Sequence, residues 1–99
     1  MKINLQSVNF NIDKGLVEFI EKKLSGLEKF YDKIVDVDVF LKVQQTSEKE
    51  NKLVDIKVNI PGNDIIVKKT SKTFEEGVMQ CLDSLKRQLS KEKDKVRER

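Results

Sequence analysis

The sequence predicts an α+β domain in the order β-α-β-β-β-α: a four-stranded mixed sheet, first two strands parallel and the rest antiparallel, with two helices on one face. Three observations carry that prediction. The apolar residues switch between a period of two and a period near 3.6 in that order. A length of 99 residues leaves room for one core only. The chain has one Pro and four Gly, and these fall where turns are expected or inside periodic runs rather than in a linker.

The elements follow from the residues. Residues 2–10, KINLQSVNF, place Ile3 and Leu5 on one face before shifting to Val8 and Phe10 on the other, so the first strand contains a bulge or ends early. Asp13 stands where a helix N-cap belongs. Leu16, Ile20, Leu24, Leu27 and Tyr31 follow at three- and four-residue steps, an amphipathic helix of about 18 residues. From Ile34 the period becomes two, with Val35, Val37, Val39, Leu41 and Val43 on one face. After the polar stretch QQTSEKEN, expected to be a long, mobile hairpin tip, it resumes as Val54, Ile56, Val58 and Ile60. Pro61-Gly62-Asn63 signals a tight turn, and IIVKKT forms the fourth strand. Thr73-Phe74-Glu75-Glu76 has capping-box form and starts the second helix, whose stripe is Phe74, Val78, Leu82, Leu85, Leu89 and Val96. The first strand reaches the second through a helix, so a right-handed parallel crossover is expected, with hairpins after it. Cys81 and Tyr31 fall on or beside the apolar stripes and read as core. The sheet face away from the helices is polar, with Asp36, Asp38, Asp55, Lys57 and Asn59.

Composition removes several function classes. The chain has no His and a single Cys, which excludes Ser-His-Asp and Cys-His catalysis, His-rich or multi-Cys zinc sites and an internal disulfide. No GxGxxG or GxxxxGK[ST] loop occurs among the four glycines, and no cofactor or metal is expected. Asp36 and Asp38 could serve as a carboxylate pair, but strand alternation makes them a solvated face. Neither a membrane-length apolar run nor a signal peptide is present, so the expectation is a cytoplasmic protein with no membrane partner.

The charge is directed. Lys and Arg number 20 against 17 Asp and Glu, a net charge of +3. Residues 1–83 hold 13 basic and 14 acidic side chains, whereas the last sixteen, SLKRQLSKEKDKVRER, hold seven basic and three acidic. At about 100° per residue, Lys86, Lys93 and Arg97 line one flank of the apolar stripe and Arg87, Lys91 and Lys95 the other. On the first helix Lys22, Lys29 and Lys33 share a flank, with Glu21, Glu28 and Asp32 toward the opposite side. Lys68, Lys69 and Lys72 cluster just before the second helix. Lysines of this kind can simply be a solvated surface suited to helix C-termini. They can also form one field matched to phosphates. RNA is favoured over DNA because no helix-turn-helix spacing and no continuous basic recognition helix appear. The element order and the lack of stacking aromatics on the sheet face disfavour an RNA-recognition motif.

The sequence resembles the short ribosome hibernation-promoting factors, the ribosome-associated inhibitor A family. The likeness rests on MKINLQSVNFNI as opening strand, LEKFYDKI ending the first helix, the late turn PGN, and DSLKRQLSKEKDK with its LxRQLxKxK pattern. It implies a fold similar to a double-stranded-RNA-binding domain with an added first strand. It also implies a non-enzymatic protein whose partner is the small ribosomal subunit and its rRNA, bound between head and body over the decoding region. The family's basic positions fall on Lys23, Lys29, Arg87, Lys91 and Lys95. Lys22, Lys33, Lys68, Lys69, Lys72 and Lys86 complete the expected RNA-binding set. The chain departs from the family pattern at Gly26 and Ser84, where basic residues are common. It departs again at Thr73-Phe74-Glu75, where an acidic-Met-Tyr start is usual. The expectation is one ribosome-binding domain over residues 1–99, with a basic helix end at about 90–99 and no C-terminal dimerisation domain. A monomer is expected, with a separate ribosome-dimerising factor as a further partner. A generic double-stranded-RNA binder and a protein-interaction module using a sheet edge remain the alternatives.

Overall fold

The structure, a computed structural model, describes residues 1–97, with side chains described as far as Asp94. Its elements are β1 (Lys2–Val8), α1 (Lys14–Phe30), β2 (Asp36–Val43), β3 (Lys52–Ile60), β4 (Asn63–Ser71) and α2 (Phe74–Arg97). The sheet order is β1-β2-β3-β4. β1 runs parallel to β2, Lys2 opposite Asp36 and Val8 opposite Lys42, and the other two pairings are antiparallel. The α+β class and the mixed sheet are as the sequence predicts.

Local chemistry sets the boundaries. β1 ends at Val8 without a bulge because Asn9 takes a left-handed φ of 69°, a conformation Asn tolerates better than most residues. The chain then turns Phe10 onto the start of α2, where its ring stacks on Phe74 with centroids 4.7 Å apart. The Asp13 carboxylate accepts from the Leu16 N–H at 2.7 Å and caps α1. The Thr73 hydroxyl does the same for the Glu76 N–H at 3.1 Å, capping α2. Pro61 and Gly62 alone make the last turn: Gly62 has a φ of 79°, the third-position geometry of a type II turn, and Asn63 already pairs with Ile60 as the first residue of β4. The polar segment 44–51 joins β2 to β3.

Val35 departs from expectation. Its alternation with Val37 predicts an inward side chain, yet it precedes β2 and is 62% exposed. Its N–H still bonds to the Asn59 carbonyl, but in the connection from α1 alternation no longer fixes the face a side chain takes.

Both helices cover one face of the sheet. Leu16, Ile20, Leu24, Leu27 and Tyr31 of the α1 segment and Phe74, Val78, Cys81, Leu82, Leu85 and Leu89 of α2 meet Val37, Val39, Leu41, Val54, Ile56 and Val58, all buried. The Val96 side chain lies outside the described residues. Gly77 lets α2 settle directly on β3, since a Cβ there would lie 2.7 Å from a Val54 methyl. Each helix starts at the end of the sheet where β2 finishes, so α1 and α2 run side by side in the same direction.

The register also defines the open face, in four cross-strand rows: Lys2-Asp36-Asn59-Asp64, Asn4-Asp38-Lys57-Ile66, Gln6-Phe40-Asp55-Lys68 and Val8-Lys42-Leu53-Thr70. It is mostly polar, as expected, with Phe40, Leu53 and Ile66 added.

Candidate nucleic-acid interface

The strongest concentration of the expected basic residues lies on the outer side of the helix layer. Lys22 and Lys29 are exposed on α1, and Lys33 is exposed in the connection beyond its C-terminus rather than on the helix itself. Lys86, Arg87 and Lys91 are exposed on α2. One contact fixes how the two helices face each other: the Lys93 ammonium of α2 lies 4.1 Å from the centroid of the Phe30 ring on α1. Lys86, two turns before Lys93, therefore lies on the α1 side of α2, level with Lys23, which is seven residues before Phe30 on α1. Arg87 and Lys91 rise on the solvent side, and Lys91 borders a shallow groove of about 300 Å3 between Gln88 of α2 and Asn63 and Asp64 of β4. Lys95 belongs to α2, but its side chain lies outside the described residues.

The cluster at 68–72 divides. Strand alternation sends Lys68 to the open face opposite Asp55 and Lys69 to the helix-covered side opposite Val54, while Lys72 is exposed in the link to α2. Arg87 lies about 20 Å further along α2 at 1.5 Å per residue, so Lys72 belongs to the opposite end of the helix layer.

Charge segregates on α1. Glu28 faces β1, where its carboxylate lies 3.7 Å from the Met1 ammonium. Among the described residues, no ion pair engages Lys22, Lys23, Lys29, Lys33, Lys68, Lys69, Lys72, Lys86, Arg87 or Lys91. Sequence reasoning missed Phe19 and Phe30, both half-buried beside these lysines, with the Lys23 ammonium 5.8 Å from the Phe19 centroid. The signal was available, because Phe19, Lys23 and Phe30 follow one another at helical spacing.

The carboxylate pair is differently occupied. The Asn59 side-chain amide donates to both Asp36 and Asp38, and the Asn4 amide donates to Asp38 at 2.9 Å. These amide donors, Asn4 first, hold the Asp38 carboxyl below its ordinary value, with Lys57 adding a smaller attraction. A carboxylate held ionised in this way is poorly placed to deliver a proton near neutral pH. Among the described residues no group of three or more His, Cys, Asp or Glu could hold a metal ion. Burial pushes the Cys81 thiol up to about 12, which makes it a core residue rather than a nucleophile.

A ribosomal subunit interface protein from Coxiella burnetii shares the fold at a TM-score of 0.81 and 28% identity, over 95% of this chain and 99% of that one. The architecture is therefore that of a small α+β domain of the kind that protein represents. Residues 3–97 match the family described as Sigma 54 modulation protein / S30EA ribosomal protein, and the chain belongs to that family. Its relatives include the ribosome hibernation promoting factors of Klebsiella oxytoca, 31% identical over 98 residues, and of Escherichia coli strain K12, 32% identical over 98 residues; each comparison covers 99% of both chains. The family is non-enzymatic.

Proposed function

We propose that the chain silences idle ribosomes by occupying the decoding region of the small subunit, between head and body, where mRNA and the A- and P-site tRNAs would lie. Family membership supports ribosome association and hibernation. The observation that carries the finer reading is the outer side of the helix layer, where seven cations, Lys22, Lys23, Lys29, Lys33, Lys86, Arg87 and Lys91, have no ion-pair partner among the described residues. A rigid sheet behind the helices holds them in fixed relation, so they can meet an equally fixed array of rRNA phosphates. Binding by this surface displaces counterions and no bond needs to be made or broken. Inhibition is steric. The protein acts in the cytoplasm as a monomer, during starvation or stationary phase, with a separate dimerising factor as a further partner.

Co-sedimentation with small subunits at increasing KCl tests this reading. Retention is expected to fall steeply with salt, and replacing Arg87 and Lys91 together with Glu should abolish it while leaving the thermal transition unchanged, since both side chains are exposed. Salt-independent retention would remove the electrostatic account. Equal affinity for any RNA duplex would instead make the chain a general duplex binder.

A further inference from the structure

Along the seam between the helices, Phe19 and Phe30 pack against the core while part of each stays exposed. Phe19, Lys23, Gly26 and Phe30 succeed one another at steps of four, three and four residues, so they form one line along α1. Met79, Lys86 and Lys93 repeat at seven and form a line along α2, and the Lys93 contact with Phe30 shows that the two lines face each other. Both phenylalanine rings are only half-buried, and Met79 is 41% exposed. Gly26 lies between the rings, and a Cβ there would meet nothing within 4 Å, so the α1 wall is open midway. The seam therefore combines partly exposed rings, open space at Gly26 and flanking ammonium groups.

Resting on the RNA-binding reading above, we propose that this seam takes unstacked nucleobases of single-stranded rRNA, with the exposed parts of Phe19 and Phe30 as stacking platforms and Lys23, Lys86 and Lys93 against the flanking phosphates. The chemistry selects this occupant. An apolar peptide could use the rings but would leave the ammonium rims facing no anion. Duplex RNA could use the rims, but its bases are already stacked and paired. A splayed single strand satisfies both, because every base has a π-face and every nucleotide brings a phosphate. Lysine over each ring fits the same use: the ammonium screens the ring while it is empty and needs only to swing outward to meet a phosphate.

The test uses the full chain carrying Phe19→Leu, Phe30→Leu or both, beside Lys86→Gln. Affinities for small subunits and for a single-stranded oligoadenylate are measured across a salt series. Each Phe→Leu change is expected to weaken binding about 10-fold and to leave the slope of log affinity against log salt unchanged. Lys86→Gln should flatten that slope by about 0.7. Phe30→Tyr, which keeps a ring, should retain binding. Leu variants that bind like the parent while Lys86→Gln weakens would overturn the stacking assignment and leave the ribosome reading standing. Normal binding of small subunits by all of these variants, and by the Arg87→Glu, Lys91→Glu pair, would overturn both. Because the chain has no Trp, Phe19→Trp adds a direct reporter that does not depend on the stability of the Leu variants. Its emission should be quenched by oligoadenylate, and unchanged emission at saturation would overturn the assignment.

Discussion

On the open sheet face, Asp36 and Asp38 sit against the amides of Asn59 and Asn4, and the Asp64 carboxylate lies 3.6 Å from the Lys57 ammonium. On the outer side of the helices, Lys22, Lys29, Lys86, Arg87 and Lys91 stand exposed with no ion pair among the described residues. On the sheet face Asp36, Asp38, Lys57 and Asp64 find partners across strands, although Asp55 Oδ1 is buried without a hydrogen-bond partner and Lys68 has no ion pair, whereas the exposed cations of the helical face have none among the described residues. Exposed pairs such as Lys57 with Asp64 are worth only about 0–1 kcal/mol, so their value on the sheet lies in neutralising that face more than in stabilising it. The contrast teaches that a net charge of +3 is a poor summary of this chain. What matters is which cations already have company.

Substitutions on the two faces should behave differently. The largest stability effect is expected where the helices meet the sheet: Leu85→Ala, at a fully buried position, should cost about 2–5 kcal/mol. Ile66→Ala on the open face, 56% exposed, should stay within about 0.5 kcal/mol. Urea midpoints measure both, and a large loss at Ile66 would show that the open face is covered in solution. A smaller effect distinguishes the carboxylates. The folded pKa of Asp38 lies below the ordinary 3.8, so its contribution is present above that value and is lost as pH falls through the lowered folded pKa. Asp38→Asn should therefore lower stability slightly at pH 7 and remove part of the acid-induced decline that the parent shows below about pH 4. An identical acid limb in both proteins would mean the amide contacts do not favour the ionised form.

Much of this fold is readable in the sequence because its residues speak for one structure at several scales. Asp13 and Thr73 occupy the cap positions they announce, and the strand alternation from Val37 to Leu41 and from Val54 to Ile60 points inward throughout. Reading fails where a pattern outlives its element. Val35 continues the alternation of β2 one step beyond the sheet, and Lys33 continues the α1 flank past the helix end. The basic field was only partly legible for a related reason. Nearness in sequence grouped Lys68 with Lys69, although adjacent strand residues point to opposite faces. Which flank of α2 faces α1 depends on how two helices rotate against a shared sheet, and no periodicity within either helix encodes that.

Cys81 turns this packing into a clock. It is the single cysteine of the chain, fully buried on α2, with its sulfur 3.8 Å from the Val54 carbonyl oxygen and its thiol pushed up to about 12. Thiol reagents attack the thiolate, and the folded protein near pH 7 offers neither that species nor a path to it. Alkylation must wait until α2 lifts from β3, so the labelling rate of the unmodified protein tracks the population of that opened state when reclosing outpaces the reagent. A partner seated across both helices should slow labelling in proportion to its occupancy, and small subunits added to the labelling reaction would show whether it does.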